Sequence, residues 1–276
     1  MTRSQTADPF EKAGEAARAL AAATSASGHD IYVALGSGWA AAADLLPSGV
    51  EVPMDSLPGF ATPSALGHRN VLRSLPMGNQ RVLLGLGRVH LYEGHGLDAV
   101  VHAVRTAIAA GCRTVVLTSA CGSMRPEWPV GGAVVLADQI NFTGVSPMPG
   151  SPPPAPWSGR FVPLGDLYSS RLREIVREVE PGIPEGIYVG FHGPEFETPA
   201  EIRMAKGWGG DLVGMSTVLE AIAARHMGAE ILGLSLVTNL AAGMSETPLD
   251  GEHVIAVASE AAPRVADLLH RVLKRL

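Results

Sequence analysis

The chain has 276 residues, of which 46% are hydrophobic, 17% charged and 5% aromatic, with a formal net charge of -6 at pH 7. This supports a sizeable buried core, and the acidic balance and few aromatic rings count against a nucleic-acid surface, an all-β sandwich or a stacking platform for single strands. Two cysteines, Cys112 and Cys121, make neither a disulfide framework nor a four-ligand zinc site, and no leader, bilayer-length apolar run or Pro/Ser/Gly linker is present, so one cytoplasmic α/β domain over residues 1–276 is expected, with no membrane partner.

Residues 9–26 are Ala-rich and place Phe10, Ala13, Ala17, Leu20 and Ala21 at helical spacing, which predicts a peripheral N-terminal helix within residues 1–28, stopped by Gly28. Residues 31–35 read as a short apolar strand entering Gly36-Ser37-Gly38, with a helix over 39–46 ended by Pro47. A strand, a Gly-Ser-Gly turn and a helix suit an anion, because the glycines let the backbone approach and Ser37 can donate. The same residues fit a dinucleotide turn with Glu51 as its ribose acid, or a tight turn with no ligand. The short helix and the lack of a regular βαβ series count against the dinucleotide.

Residues 55–70 read as a loop carrying Leu66-Gly67-His68-Arg69, where His68 fits a ligand contact or a simply exposed ring. Strands are predicted over 71–75 and 81–91, joined by a Pro76-Met77-Gly78-Asn79 hairpin turn. The second strand runs into Gly-Arg-Val-His-Leu-Tyr-Glu-Gly-His, and period-2 alternation puts Arg88, His90 and Tyr92 on one face. A fixed cation, an imidazole and a phenol facing one way suit an anion beside a hydroxylated organic group; an exposed strand face is the alternative. His90, Glu93 and His95 would not share a face, so no metal site is expected.

A helix is predicted over 97–110 and a strand over 114–118, which runs into a small-residue turn, Ser119-Ala120-Cys121-Gly122-Ser123, with Cys121 read as a packed, inert thiol. A strand over 133–137 precedes the Pro- and Gly-rich residues 141–159, a candidate lid or binding loop or else a disordered segment. A helix over 167–180 and a strand over 186–191 lead to His192-Gly193-Pro194-Glu195-Phe196-Glu197-Thr198-Pro199 and a helix over 200–206. Phe196 beside Glu197 joins a flat apolar surface to an acceptor, which a heteroaromatic ring bearing N–H groups needs; alternatively Glu197 only steadies the helix dipole. A strand over 211–213 enters Gly214-Met215-Ser216-Thr217 ahead of a helix over 218–227, the strand over 231–237 delivers Thr238-Asn239, and a helix covers 251–276. The strand ends therefore carry Ser37, Ser119 with Ala120, Ser216, and Thr238 with Asn239, and in an open α/β sheet ligands sit at the carboxyl ends of strands. His-Glu-x-x-His, the Walker phosphate loop and the Gly-x-Ser-x-Gly elbow are missing, which removes the usual warrants for zinc hydrolysis, nucleotide hydrolysis and serine hydrolysis.

From Gly-Ser-Gly at Gly36 through Gly-His at Gly67, Gly-Arg-Val-His-Leu-Tyr-Glu-Gly at Gly87, Gly-Pro-Glu-Phe-Glu-Thr-Pro at Gly193, Val-Gly-Met-Ser-Thr at Val213 and Val-Thr-Asn at Val237, the chain resembles the trimeric class of purine nucleoside phosphorylases. The resemblance implies a mixed β-sheet core flanked by helices, the nucleoside phosphorylase fold, in a homotrimer. It implies that Ser37, His68, Arg88, His90, Ser216 and the Ala120 N–H hold phosphate, that Tyr92 and Met215 hold ribose, and that Phe196, Glu197, Thr238 and Asn239 hold the purine. His90, Glu197 and Asn239 would be the catalytic set, inorganic phosphate the co-substrate, and no cofactor or metal would be needed. An Asn at position 239 fits a 6-oxopurine such as hypoxanthine or guanine. Ser119, Cys121 and Ser123 depart from the family's Thr-Asn-Ala-Ala-Gly-Gly, Gln139 from its Asp-His, and Gly251 from its ribose-binding His. Ser119 and the nearby His253 are then the expected ribose-side substitutes. A nucleoside-binding or regulatory relative with weak turnover, and a phosphorylase of a modified nucleoside such as a methylthio-nucleoside, stay open beside the active phosphorylase.

Overall fold

The computed structural model describes residues 8–65, 68–150, 152–157, 159–245 and 251–276. Among them, the strands are β1 (Ile31–Ala34), β2 (Val50–Pro53), β3 (Val71–Met77), β4 (Gln80–Gly85), β5 (Thr114–Ser123), β6 (Ala133–Asn141), β7 (Glu185–Gly190), β8 (Leu212–Gly214) and β9 (Glu230–Leu240). The α-helices are α1 (Pro9–Thr24), α2 (Leu97–Ala109), α3 (Ser170–Val179), α4 (Pro199–Gly207), α5 (Val218–His226) and α6 (Gly251–Leu273). β1 is buried at every position, as a strand must be when helices cover both faces of its sheet. Its alternate residues serve two cores: Tyr32 and Ala34 pack with residues of α1, α2 and α5, while Ile31 and Val33 pack with residues of α3 and α6.

The nine-stranded sheet runs β2-β3-β4-β1-β5-β8-β7-β6-β9, and β9 also pairs in parallel with β5. One half of the sheet is thus open and the other, β5-β8-β7-β6-β9, closes on itself. The mixed sheet flanked by helices is the one the resemblance implies, and closure of this half is what draws the ends of β5, β8 and β9 around one space. The register of β5 against β9 slips between Cys121 and Gly122, opposite Val237 and Asn239, leaving Thr238 as the extra residue of a β-bulge.

Several boundaries differ from those expected. The predicted small-residue turn at 119–123 is strand, because β5 keeps β9 and then β8 as partners to its end. The helix expected over 39–46 is a 3-10 helix, Ala40–Leu45. β2, unforeseen, pairs antiparallel with β3, and its Glu51 takes Arg73 at 2.8 Å and Arg69 at 3.5 Å. The acid is thus spent on arginines, and an antiparallel strand follows the Gly-Ser-Gly turn where a dinucleotide fold needs a βαβ crossover. The described part of loop 142–169 docks on the α1, α2 and α5 side: Trp157 lies 6.3 Å from Phe10, Arg105 donates to Pro147 O at 3.0 Å and His226 to Gly159 O at 3.1 Å. It is a strap over the helices, and none of its described residues lines the main cavity.

Candidate active site

A cavity of about 300 Å³ opens where β5, β8 and β9 meet, lined among others by Ser37, His90, Tyr92, Ala120, Gly122, Phe196, Glu197, Met215, Ser216, Thr238 and Asn239. Residues far apart in sequence reach it through local devices that can each be traced. In a regular strand Thr238 and Asn239 would face opposite ways; the bulge turns both to the cavity. Thr238 Oγ1 donates to Asn239 Oδ1 at 2.9 Å, and Asn239 Nδ2 donates to Leu240 O at 2.9 Å, which leaves one amide N–H and one lone pair to spare. In α4, Thr198 and Glu201 form the capping box, with Thr198 N–H donating to Glu201 Oε2 at 2.7 Å. Glu201 therefore steadies the helix start, and Glu197 is left to line the cavity. Burial pushes the Glu197 carboxyl up from its ordinary value, with Glu201 adding to the rise against the pull of Glu197's own backbone N–H. Phe196 beside it is 45% exposed, an apolar ring at the cavity wall with one face uncovered.

At the other end the polar groups are already joined to one another. His68 Nδ1 lies 2.9 Å from the Arg88 backbone nitrogen and 3.0 Å from its carbonyl oxygen, and Nε2 lies 2.9 Å from Ser37 Oγ. Where the Arg88 N–H is the Nδ1 partner, the ring proton sits on Nε2 and the Ser37 hydroxyl proton is left for an anion. Burial and then Arg88 lower the His68 pKa to about 4. The same causes, with His68 added, take His90 to about 3, so both imidazoles are neutral near pH 7. Glu93 accepts from His90 Nδ1 at 3.0 Å and from the His90 N–H and Ser64 Oγ, each at 2.6 Å. Its burial works against ionisation, but these donors win and hold it at about 2. The His90 ring stacks on Tyr92 with centroids 4.9 Å apart. Trp39 is fully buried and donates Nε1–H to Ser119 O at 2.9 Å, pinning the Gly-Ser-Gly turn to β5.

Arg88 departs from expectation. β4 stops at Gly85 and Leu91–Glu93 is a 3-10 turn, so strand alternation does not govern residues 88 to 92. His90 and Tyr92 reach the main cavity, whereas the Arg88 guanidinium turns beneath the Gly36 turn, donating to Thr118 O at 2.6 Å and pairing with Glu220 at 3.2 Å. A Cβ on Gly36 would lie 2.6 Å from Thr118 O and 3.0 Å from Arg88 Cζ, so only glycine fits above it. Ser119 is buried with its hydroxyl 2.7 Å from Ser235 Oγ, away from the cavity, because β5 is still strand there and alternation sends the side chain to the far face. His253 is exposed on the first turn of α6, while Gly251 and Val254 line the cavity. Neither proposed ribose substitute is brought to the site. Leu66 and Gly67 of the Gly-His block lie outside the described residues.

Cys121 lines the cavity, and burial raises its thiol to about 12, in keeping with the inert reading. Among the described residues no cluster of metal-ligating side chains occurs, and no helix is long and apolar enough to cross a membrane. Sequence reasoning missed Glu93 and Glu220 as members of the site. Each is three residues after a group it serves, His90 and Thr217, and that spacing was the available signal.

A family model described as the Phosphorylase superfamily matches residues 30–274. A purine nucleoside phosphorylase of Cellulomonas sp. is 52% identical over 274 residues, spanning 97% of this chain and 94% of that protein. The purine nucleoside phosphorylase of Mycobacterium tuberculosis is 49% identical over 269 residues, spanning 97% of each. Among solved structures, Schistosoma mansoni purine nucleoside phosphorylase in complex with inosine matches with a TM-score of 0.87 at 28% identity over 96% of each chain. The complex of the same protein with adenosine matches with a TM-score of 0.88 at 29% identity, over 96% of this chain and 97% of that one.

Proposed function

We infer the activity from one premise: the chain belongs to the phosphorylase superfamily and, within it, to the purine nucleoside phosphorylases. It cleaves the bond between C1′ and N9 of a 6-oxopurine nucleoside with inorganic phosphate, reversibly, giving the free base and a pentose 1-phosphate. The observation that carries this reading is that a single cavity has donors suited to an anion at one end and a ring-and-amide set suited to a base at the other. Gly38 approaches Ala120 and Asn239 approaches Gly122, so the ends are two strand residues apart, about 7 Å, which leaves room for a pentose.

In this mechanism Ser37, Ser216, the Ala120 N–H and His90 hold phosphate under C1′, with Arg88 supplying positive charge from below. His90 keeps its proton on Nδ1 and donates it in a hydrogen bond to Glu93, so its Nε2 lone pair accepts the P–OH of monohydrogen phosphate. Tyr92 and Met215 flank the sugar. As the bond breaks the sugar gains oxocarbenium character and negative charge grows on the purine. The spare Asn239 N–H meets that charge at N7, a contact that strengthens toward the transition state, while the Glu197 carboxylate accepts from a ring N–H and so orients the base. The whole chain acts as one such unit. It works as a cytoplasmic homotrimer with no metal or organic cofactor; the exposed rings of Phe142 and Trp208, centroids 5.3 Å apart, are apolar surface of the kind a second subunit covers.

The adenosine and inosine complexes of the Schistosoma protein show that occupancy alone does not report base choice, so turnover must be measured. Inosine should give an absorbance change that requires phosphate and survives a chelator. Tight inosine binding with no phosphate-dependent change would establish the binding-protein reading instead.

A further inference from the structure

The Arg88–Glu220 pair lies outside the main cavity, and the mechanism above gives Glu220 no role. Both side chains are almost wholly enclosed, at 3% and 4% exposure. Replacing such a pair by apolar groups is often neutral or stabilising, so its stability alone does not explain its presence. Glu220 Oε2 also accepts the N–H of Thr217 at 3.1 Å, and Arg88 Nη1 donates to Thr217 Oγ1 at 3.4 Å. Thr217 is a β-branched residue at φ 69° and ψ −55°, with Val218 N–H donating to Ser216 O at 2.7 Å. That is a γ-turn of the strained sense, which persists only where its surroundings over-determine it. The turn carries Ser216 and Met215, both in the cavity wall. Arg88 Nε is buried with no partner. Arg88, Thr217 and Glu220 also border a small void that shares His90, Met215 and Ser216 with the main cavity. The anion end of the main cavity and the Arg88–Glu220 pair therefore lie on two sides of the same three residues.

We propose that Glu220 is a built-in counter-anion that competes with phosphate for Arg88, while its second hydrogen bond holds the Thr217 turn that aims Ser216. The proposal rests on the phosphorylase reading of the cavity. The carboxylate neutralises a cation that burial would otherwise leave with neither water nor a countercharge. When phosphate arrives it meets an ion pair, so its affinity is lower than a bare arginine would give, and the pentose 1-phosphate product leaves more readily. Glu220 is a positioning residue: it touches Arg88 and Thr217, not the reacting atoms.

Glu220→Gln separates the two roles, because the amide oxygen can still accept from Thr217 while the charge is gone. A unit charge at about 4–6 Å moves an ionic equilibrium by about 1–3 log units, so phosphate should bind at least about tenfold more tightly. KM for phosphate should fall by the same factor, KM for inosine should hold, and turnover at saturation should slow as product lingers. A residue that only supported the fold would weaken phosphate and inosine together. Binding is read without turnover by titrating inorganic phosphate and following the rise in melting temperature. If wild type neither gains stability from phosphate nor turns over inosine, the phosphorylase reading falls. If wild type does both and Glu220→Gln binds phosphate equally or more weakly, the counter-anion proposal alone falls. Phosphate should replace the missing charge, so a Glu220→Gln chain that folds only in excess phosphate supports the proposal, and one that fails to fold even there overturns it.

Discussion

The two ends of the cavity are built on different principles. At the phosphate end Ser37, His68, Arg88 and Glu220 form one linked set and His90 with Glu93 a second, with the His68 and His90 rings 5.1 Å apart. At the base end Phe196 has an uncovered face, Glu197 carries a carboxyl that burial makes harder to ionise, and Asn239 keeps a free N–H. A small, symmetrical, strongly hydrated ion is bound well only by donors whose reorganisation is already complete. A purine supplies its own flat shape and apolar area, so its end needs a surface and a pair of directional groups. Substitutions at the phosphate end should therefore propagate into stability, and those at the base end should stay within recognition and rate.

The largest effect is expected for Arg88→Ala. It strands Glu220 as an unpaired buried carboxylate, which costs about 3–5 kcal/mol of unfolding free energy, and it raises the phosphate requirement far more than that for inosine. Denaturant melts and paired KM values check this; an unchanged melt with both constants rising equally would break the contrast between the ends. Asn239→Ala should come next, raising the barrier on inosine by roughly 2.7–4 kcal/mol while leaving the melt nearly unmoved. Asn239→Asp sharpens the assignment, since an ionised carboxylate repels the growing charge of a 6-oxopurine but accepts from a 6-amino group. The inosine-to-adenosine ratio of kcat/KM should move toward adenosine, and an unmoved ratio would withdraw Asn239 from the base.

Glu197→Gln should cost about 1.5–3 kcal/mol in inosine kcat/KM, the usual worth of a hydrogen bond to a charged group. It should also remove a pH dependence. The folded pKa of Glu197 is raised, so acidification protonates it at a higher pH than an ordinary carboxyl and KM for inosine should climb there. Stability moves the other way. Between the unfolded value and the raised folded one the native state binds more protons, so this group's contribution grows as pH falls through that window. A wild-type inosine KM that is flat across this range would leave Glu197 without a base contact. The smallest effect belongs to Ser37→Ala, which removes one hydroxyl donor while His68 keeps its bond to the Arg88 N–H; phosphate KM should rise by a factor corresponding to about 0.5–1.5 kcal/mol.

The base end was more legible in the sequence than the phosphate end. Phe196 and Glu197 stand out in the sequence as a ring beside an acceptor and Thr238-Asn239 as polar groups at a strand end, and all four line the cavity. Their placement needed only short-range devices, such as the Thr198-Glu201 capping box that frees Glu197. At the phosphate end strand alternation points Arg88 the wrong way because β4 ends at Gly85, and Ser119 lies in strand where its small neighbours suggest a turn. His253 is close to Gly251 in sequence, but the first turn of α6 leaves it exposed.

By itself the sequence determined whatever hydrogen bonds spanning a few residues decide: the Asp8-Pro9 start of α1, the β3-β4 hairpin, the capping boxes, and the motif blocks that carry the family. The tertiary structure decided where the buried charges go. Arg88 meets Thr217 across 129 residues and turns inward because Glu220 and two strand carbonyls wait there. The Thr238 bulge exists because β9 must stay in register with β5 while closing that half of the sheet. A local pattern registers which face is apolar, whereas the direction of a charged side chain follows from desolvation and its partners, and those are known only once distant strands lie side by side.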